Sequence, residues 1–202
     1  DKSIMDQPAA YLATNSEYVV CNVNYRLLSD NDNTTTLDEI VGDAFGAVLW
    51  VKENIADYAG DNTRVAVTGD SAGGHLCAMI VNMGTELSSR VFSPESLKFS
   101  PTYLPAKESA EDVSAKDGLD VQAAILSYPY DFYEGAINGF ESALNPLWQV
   151  NGAIGRGVFG DQYSLVDNQS MYRAVSPKDN IPLSENRHLP PQLLTVGSED
   201  PL

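Results

Sequence analysis

Gly69-Asp70-Ser71-Ala72-Gly73 sets a serine between two glycines at the spacing G-x-S-x-G. That spacing lets a strand reverse into a helix and leave a hydroxyl exposed at the turn. The chemistry open to Ser71 there is nucleophilic: its Oγ attacks a carbonyl carbon, provided a base takes the proton. The turn places its central residue in a strained backbone conformation. Glycines at 69 and 73 let the neighbouring chain approach without a Cβ clash. The free N–H groups at the helix start, above all that of Ala72, point toward a developing oxyanion. The competing reading is a glycine-rich turn with an idle serine.

The flanking elements decide between these readings. Residues 64–68 (RVAVT) are a β-branched run that predicts a strand, and residues 75–83 have helical spacing. The motif therefore stands between a strand and a helix, which is its confirming context. Residues 18–23 (YVVCNV) and 121–127 (VQAAILS) predict two more buried strands, and residues 192–197 (QLLTVG) a last one. Thr36 and Glu39 have capping-box spacing ahead of a helix that runs to about Tyr58. Strands alternating with helices argue for an α/β fold with a mostly parallel sheet. Residues 88–120 have no clear period and read as a surface insertion, and residues 131–177 mix aromatics, glycines and short helical stretches.

Other chemistries find little support. The chain of 202 residues has 12 Lys+Arg against 28 Asp+Glu, a net charge of −16. Such a surface repels phosphate backbones, so nucleic acid is not an expected partner. No apolar run reaches the roughly 18 residues of a membrane span. Gly152, Gly155 and Gly157 have the wrong spacing for a dinucleotide site and follow no strand. No His, Cys and acid cluster has metal-ligand spacing, so no metal or cofactor is expected. The acidic run at 29–36 (SDNDNTTT) reads as a solvated loop, and Cys21 and Cys77, both in apolar segments, as buried free thiols. Cysteine usage leaves the compartment open. Of the two histidines, His75 lies one turn past Ser71 and reads as a packed residue, and His188 reads as surface loop.

GDSAGG at 69–74, together with Tyr25-Arg26-Leu27 after a VV-containing strand, resembles the hormone-sensitive-lipase-like branch of the α/β-hydrolase esterases. Trp50 late in a helix, RVAV before the motif, Tyr128-Pro129, and LPP, strand, DPL at 189–202 follow in that family's order. Leu28-Ser29-Asp30 stands where the family usually has Ala-Pro-Glu.

The resemblance implies an α/β-hydrolase fold, with a mostly parallel central sheet, helices on both faces and a cap. Residues 1–202 would be part of one catalytic domain, with 88–120 a surface insertion and 131–177 cap-like. It further implies a cofactor-free serine hydrolase acting through an acyl-enzyme on short-chain or small carboxylic esters. Ser71 is then the nucleophile, Asp200 of the DPL signature the triad acid, and Ala72 N–H part of the oxyanion hole. Asp200 also lies just past a strand's carboxyl end, where open α/β sheets place their sites. Asp131 is the reserve acid. Further polypeptide is expected to supply the histidine base and an HGGG oxyanion loop. It would also supply a strand between those at 18–23 and 64–68. An amidase- or formamidase-like hydrolase, or a non-catalytic ligand-binding relative, are the alternative readings.

Overall fold

The computed structural model describes residues 2–116, 118–149 and 152–199. In chain order come helix α1 (Asp6–Asn15), the one-turn α2 (Asp30–Asn33) and the long α3 (Leu37–Asn54). Strand β1 (Ala66–Asp70) leads into α4 (Ala72–Met83), and α5 (Ala110–Lys116) precedes β2 (Ala123–Ser127). Three short helices, α6 (Phe132–Ile137), α7 (Pro146–Gln149) and α8 (Gln169–Ala174), precede β3 (Gln192–Thr195). The strands form a parallel sheet in the order β1-β2-β3. Parallel neighbours cannot be joined by a tight turn, so each crossover is long and carries helices. The register sets Asp70 opposite Ser127. The turn after β1 therefore lies level with the carboxyl end of β2.

Helix α3 begins as its sequence predicts. Glu39 Oε2 accepts the Thr36 N–H at 2.9 Å and closes the capping box. Leu37, Val41, Ala44, Phe45 and Val48 form its buried stripe. α4 is buried from Gly74 to Val81, because it lies between the sheet and α3 and contacts both. Residues 88–120, expected at the surface, reach into the core: Phe99 meets Phe45 edge-on at 5.6 Å and stacks on Phe92 at 5.0 Å. Phe92 in turn stacks on Phe159 at 5.4 Å, tying residues 88–120 to residues 131–177.

Three sequence expectations are corrected. Residues 18–23 form no strand and are mostly exposed, Tyr18 at 72%. An extended run needs a partner ladder to become a strand, and among the described residues none runs beside it. β1 begins at Ala66, two residues later than residue 64, and takes in Gly69 and Asp70. Cys21 is exposed rather than buried, whereas Cys77 is buried; both are free thiols.

Residues 31–33 wind left-handed, with φ of 53°, 55° and 64° at Asn31, Asp32 and Asn33. Only Asn, Asp and Gly enter that region at small cost. Among the described residues, α4 alone packs on the sheet. The face opposite α4 carries Ile125, 44% exposed, and β1 pairs with β2 only.

Candidate active site

Ser71 stands between the end of β1 and the start of α4 with φ 51° and ψ −117°. A side chain bearing a Cβ rarely adopts this conformation, and it persists only where surrounding contacts over-determine it. They do so here. The Ser71 N–H donates to Ser127 O at 3.0 Å, while Ser71 O accepts from the N–H of His75 at 3.0 Å and of Tyr130 at 3.2 Å. The elbow is thus held by its own helix and by the segment that leaves β2.

Of the two glycines that the sequence marked for close approach, the turn's tightness requires Gly69 but not Gly73. A Cβ on Gly69 would sit 2.4 Å from the carbonyl carbon and oxygen of Gly73, which is backbone and cannot yield. A Cβ on Gly73 would meet nothing nearer than Asp70 Oδ1 at 4.0 Å. One on Gly74 would lie 3.0 Å from Pro129 Cα and 3.1 Å from Ser127 O. Gly69 and Gly74 therefore permit the close approach, and Gly73 is not required for it.

Beside the elbow a second strained residue ends β2: Tyr128 has φ 38°. Its hydroxyl donates to Asp70 Oδ2 at 2.9 Å and ties the carboxyl ends of the two strands together. Burial raises the Tyr25 phenol above its ordinary value, and the nearby charge of Asp70 adds to the rise. Ala72 is the first residue of α4, where backbone N–H groups have no acceptor within the helix. Its N–H sits next to Ser71 and at the positive end of the helix dipole, the placement an oxyanion donor needs.

The remaining titratable candidates separate cleanly. Asp131 is the N-cap of α6: Oδ1 accepts from the N–H groups of Tyr133 at 3.0 Å and Glu134 at 3.1 Å. Its Oδ2 accepts from the Ser176 hydroxyl at 2.7 Å. Both oxygens are thereby committed to local structure. The signal was present in the sequence, an Asp directly ahead of an apolar helix, but the helix is only six residues long.

His75 is fully buried, with Nδ1 2.9 Å from Tyr130 O. Burial depresses its pKa to about 4, against the smaller opposing pulls of Asp131 and the Tyr130 carbonyl. His188 is exposed and lines a broad cleft with Asn82 and Met83. These residues mark the far end of the 12-residue α4, a helix about 18 Å long. Neither histidine ring is hydrogen-bonded to the Ser71 hydroxyl. Asp200 lies outside the described residues. Among the described residues no three His, Cys, Asp or Glu side chains group as metal ligands. No helix there is long and apolar enough to cross a membrane.

Several known proteins are similar to this chain. Carboxylesterase NlhH of Mycobacterium tuberculosis is 34% identical over 82 residues, covering 41% of this chain and 24% of NlhH. Esterase LipQ of the same species is 29% identical over 185 residues, covering 92% of this chain and 35% of LipQ. The chain thus spans about a quarter to a third of the length of these relatives. A thermophilic esterase from the planctomycete Thermogutta terrifontis, Est2 in its native form, superposes with a TM-score of 0.57 at 21% identity. It covers 96% of this chain and 53% of its own, a likeness of fold. The BD-FAE family model matches residues 1–202 from end to end, and the chain belongs to that family of α/β-hydrolases.

Proposed function

We propose that this chain carries the nucleophile of a serine carboxylic-ester hydrolase acting on short-chain or small esters. The observation that carries the reading is Ser71 in a strained conformation, held at the junction of β1 and α4. The esterase names of NlhH and LipQ agree with it. Ser71 Oγ attacks the ester carbonyl as a base removes its proton, and the carbonyl oxygen gains charge. The Ala72 N–H meets that charge, joined by N–H groups of a glycine loop from further polypeptide. The tetrahedral centre collapses, the C–O bond to the alcohol breaks, and the protonated base returns its proton to the departing alkoxide. Water then releases the acid from the acyl-enzyme by the same steps. Neither histidine of the chain is hydrogen-bonded to the Ser71 hydroxyl. The base is therefore assigned to a histidine outside these residues, with Asp200 orienting it.

The test uses the full-length protein. Ser71→Ala is expected to lower kcat on p-nitrophenyl esters by a factor on the order of 10⁶, the scale seen for a triad nucleophile. It should also abolish labelling by an organophosphonate. A panel of esters of increasing acyl length should favour the short ones. Turnover and labelling that survive in Ser71→Ala would remove Ser71 as nucleophile. Ester binding without turnover in the wild type would favour a ligand-binding relative.

A further inference from the structure

Ser71 keeps its conformation partly through the Tyr130 N–H on its carbonyl oxygen. Tyr130 belongs to a segment without regular structure between β2 and α6, so something must hold its peptide in place. The other side of that residue supplies the answer. Tyr130 O lies 2.9 Å from His75 Nδ1. A carbonyl can only accept, so Nδ1 carries the proton and Nε2 is the bare nitrogen of a neutral ring. His75 is wholly buried, its ring edge-on to Phe132 at 4.8 Å, and Nε2 has no hydrogen-bond partner among the described residues. The side chain thus makes one polar contact, and that contact reaches the residue clamping the elbow.

The joint has little slack. Pro129 Cα lies so near α4 that a Cβ on Gly74 would approach it to 3.0 Å. Tyr130 is therefore bridged at both ends of its backbone, N–H to Ser71 O and C=O to His75. The same histidine adds its own backbone N–H to Ser71 O at 3.0 Å.

We infer that His75 is a positioning residue for the nucleophile: its Nδ1–H, through the Tyr130 peptide, holds Ser71 in its attacking conformation. This rests on the reading of Ser71 as the nucleophile. His75 takes no proton from Ser71 and touches no substrate.

Three substitutions in the full-length protein test it. Asparagine carries Nδ2 as many bonds from Cα as histidine carries Nδ1, so His75→Asn keeps the donor. Glutamine moves the amide one carbon further, and leucine removes it. With active sites counted by organophosphonate, His75→Asn should keep kcat within about threefold of wild type. His75→Gln and His75→Leu should lose kcat at least tenfold with KM within about twofold. A lower melting temperature with wild-type kcat per titrated site in both Gln and Leu variants would reduce His75 to a packing residue. Equal losses in the Asn and Gln variants would show that the donor position does not matter.

Should the leucine variant not fold, the Asn and Gln pair decides. A further reading needs no variant. The ¹⁵N signals of His75 in the wild type should report the Nδ1–H tautomer, unchanged from pH 5.5 to 9. An Nε2–H tautomer, or titration near the ordinary histidine value, would overturn the inference. Ester turnover that survives Ser71→Ala would instead strike the reading of the nucleophile, a separate failure.

Discussion

At the scale of single residues, the elbow can be probed by ranking its glycines. Gly69→Ala forces a Cβ to within 2.4 Å of backbone atoms. It should cost about 3 kcal/mol or more, the upper range for overpacking. Gly73→Ala meets open space within a helix. It should be neutral or stabilise by up to about 1 kcal/mol, because alanine is the better helix former. Urea melts of the two variants check this, and a reversed order would contradict the tight contact at Gly69.

The two carboxylates separate in the same manner. Asp200→Asn should lower kcat by a factor on the order of 10⁴, as when a triad histidine loses its orienting acid. Asp131→Asn should leave kcat within a few-fold, because asparagine also caps helices well and Asp131 serves α6 and Ser176. Steady-state kinetics on one ester would settle both, and the opposite ranking would move the acid to Asp131.

His75 also makes stability depend on pH. Unfolded, it takes a proton near 6.5; folded, only near 4. Between those values the unfolded chain binds more protons, so stability rises with pH across that window. The contribution is complete above pH 6.5, shrinks as pH falls, and is gone at about pH 4. Its size is about 3 kcal/mol, from about 1.4 kcal/mol per tenfold change in proton affinity. Asp61 and Glu111, both held down to about 2 by hydrogen bonds, act only below the ordinary carboxylate range. Denaturant melts between pH 7 and 4.5 should show a slope in the wild type that His75→Asn flattens. An equal slope in both would place the linkage elsewhere.

At the scale of elements, what was legible in the sequence were features written in local residues. The capping box at Thr36 and Glu39, the strand–turn–helix around Ser71, and the parallel crossovers all follow from short spacings. What could not be read depends on residues far apart. Arg156 shows why. Its guanidinium donates to the backbone oxygens of Leu28 at 3.0 Å, Asn33 at 2.6 Å, Thr35 at 2.5 Å and Gly157 at 2.7 Å. It also lies over the Trp148 ring, 5.6 Å from the centroid. One side chain from the 131–177 region thus fastens the left-handed turn at 31–33, more than 120 residues away, and no periodicity announces it. Removing it leaves several carbonyls without their donor. Arg156→Ala should destabilise by about 1–3 kcal/mol, and lysine should restore little because it lacks the planar fork. Thermal melts of the two variants check this; full rescue by lysine would show that charge alone suffices.

At the scale of the molecule, the apolar surface is unevenly distributed. One side of the sheet is sealed by α4, yet β3 is exposed along its whole length, with Leu193 and Leu194 more than half exposed. Val196 beyond it and Tyr18 and Val19 in the 18–23 segment are exposed as well. Parallel sheets are normally covered on both faces. The outer edge of β1 adds a row of backbone groups that no ladder satisfies among the described residues. Such an edge is a template for pairing with another strand.

The expectation of further polypeptide between the 18–23 segment and β1 fits this surface. It rests on the family resemblance, in which a further strand lies between the segment at 18–23 and the strand that leads to Ser71. Residues 1–202 expressed alone are therefore expected to bind a hydrophobic dye strongly, to self-associate, and to melt without a sharp transition. The full-length protein should do none of these. Dye fluorescence, light scattering and calorimetry on the two proteins make the comparison. A 202-residue monomer that melts cooperatively, ignores the dye and hydrolyses p-nitrophenyl acetate faster than its Ser71→Ala control would overturn it. Such a result would also make the histidines of this chain candidates for the base.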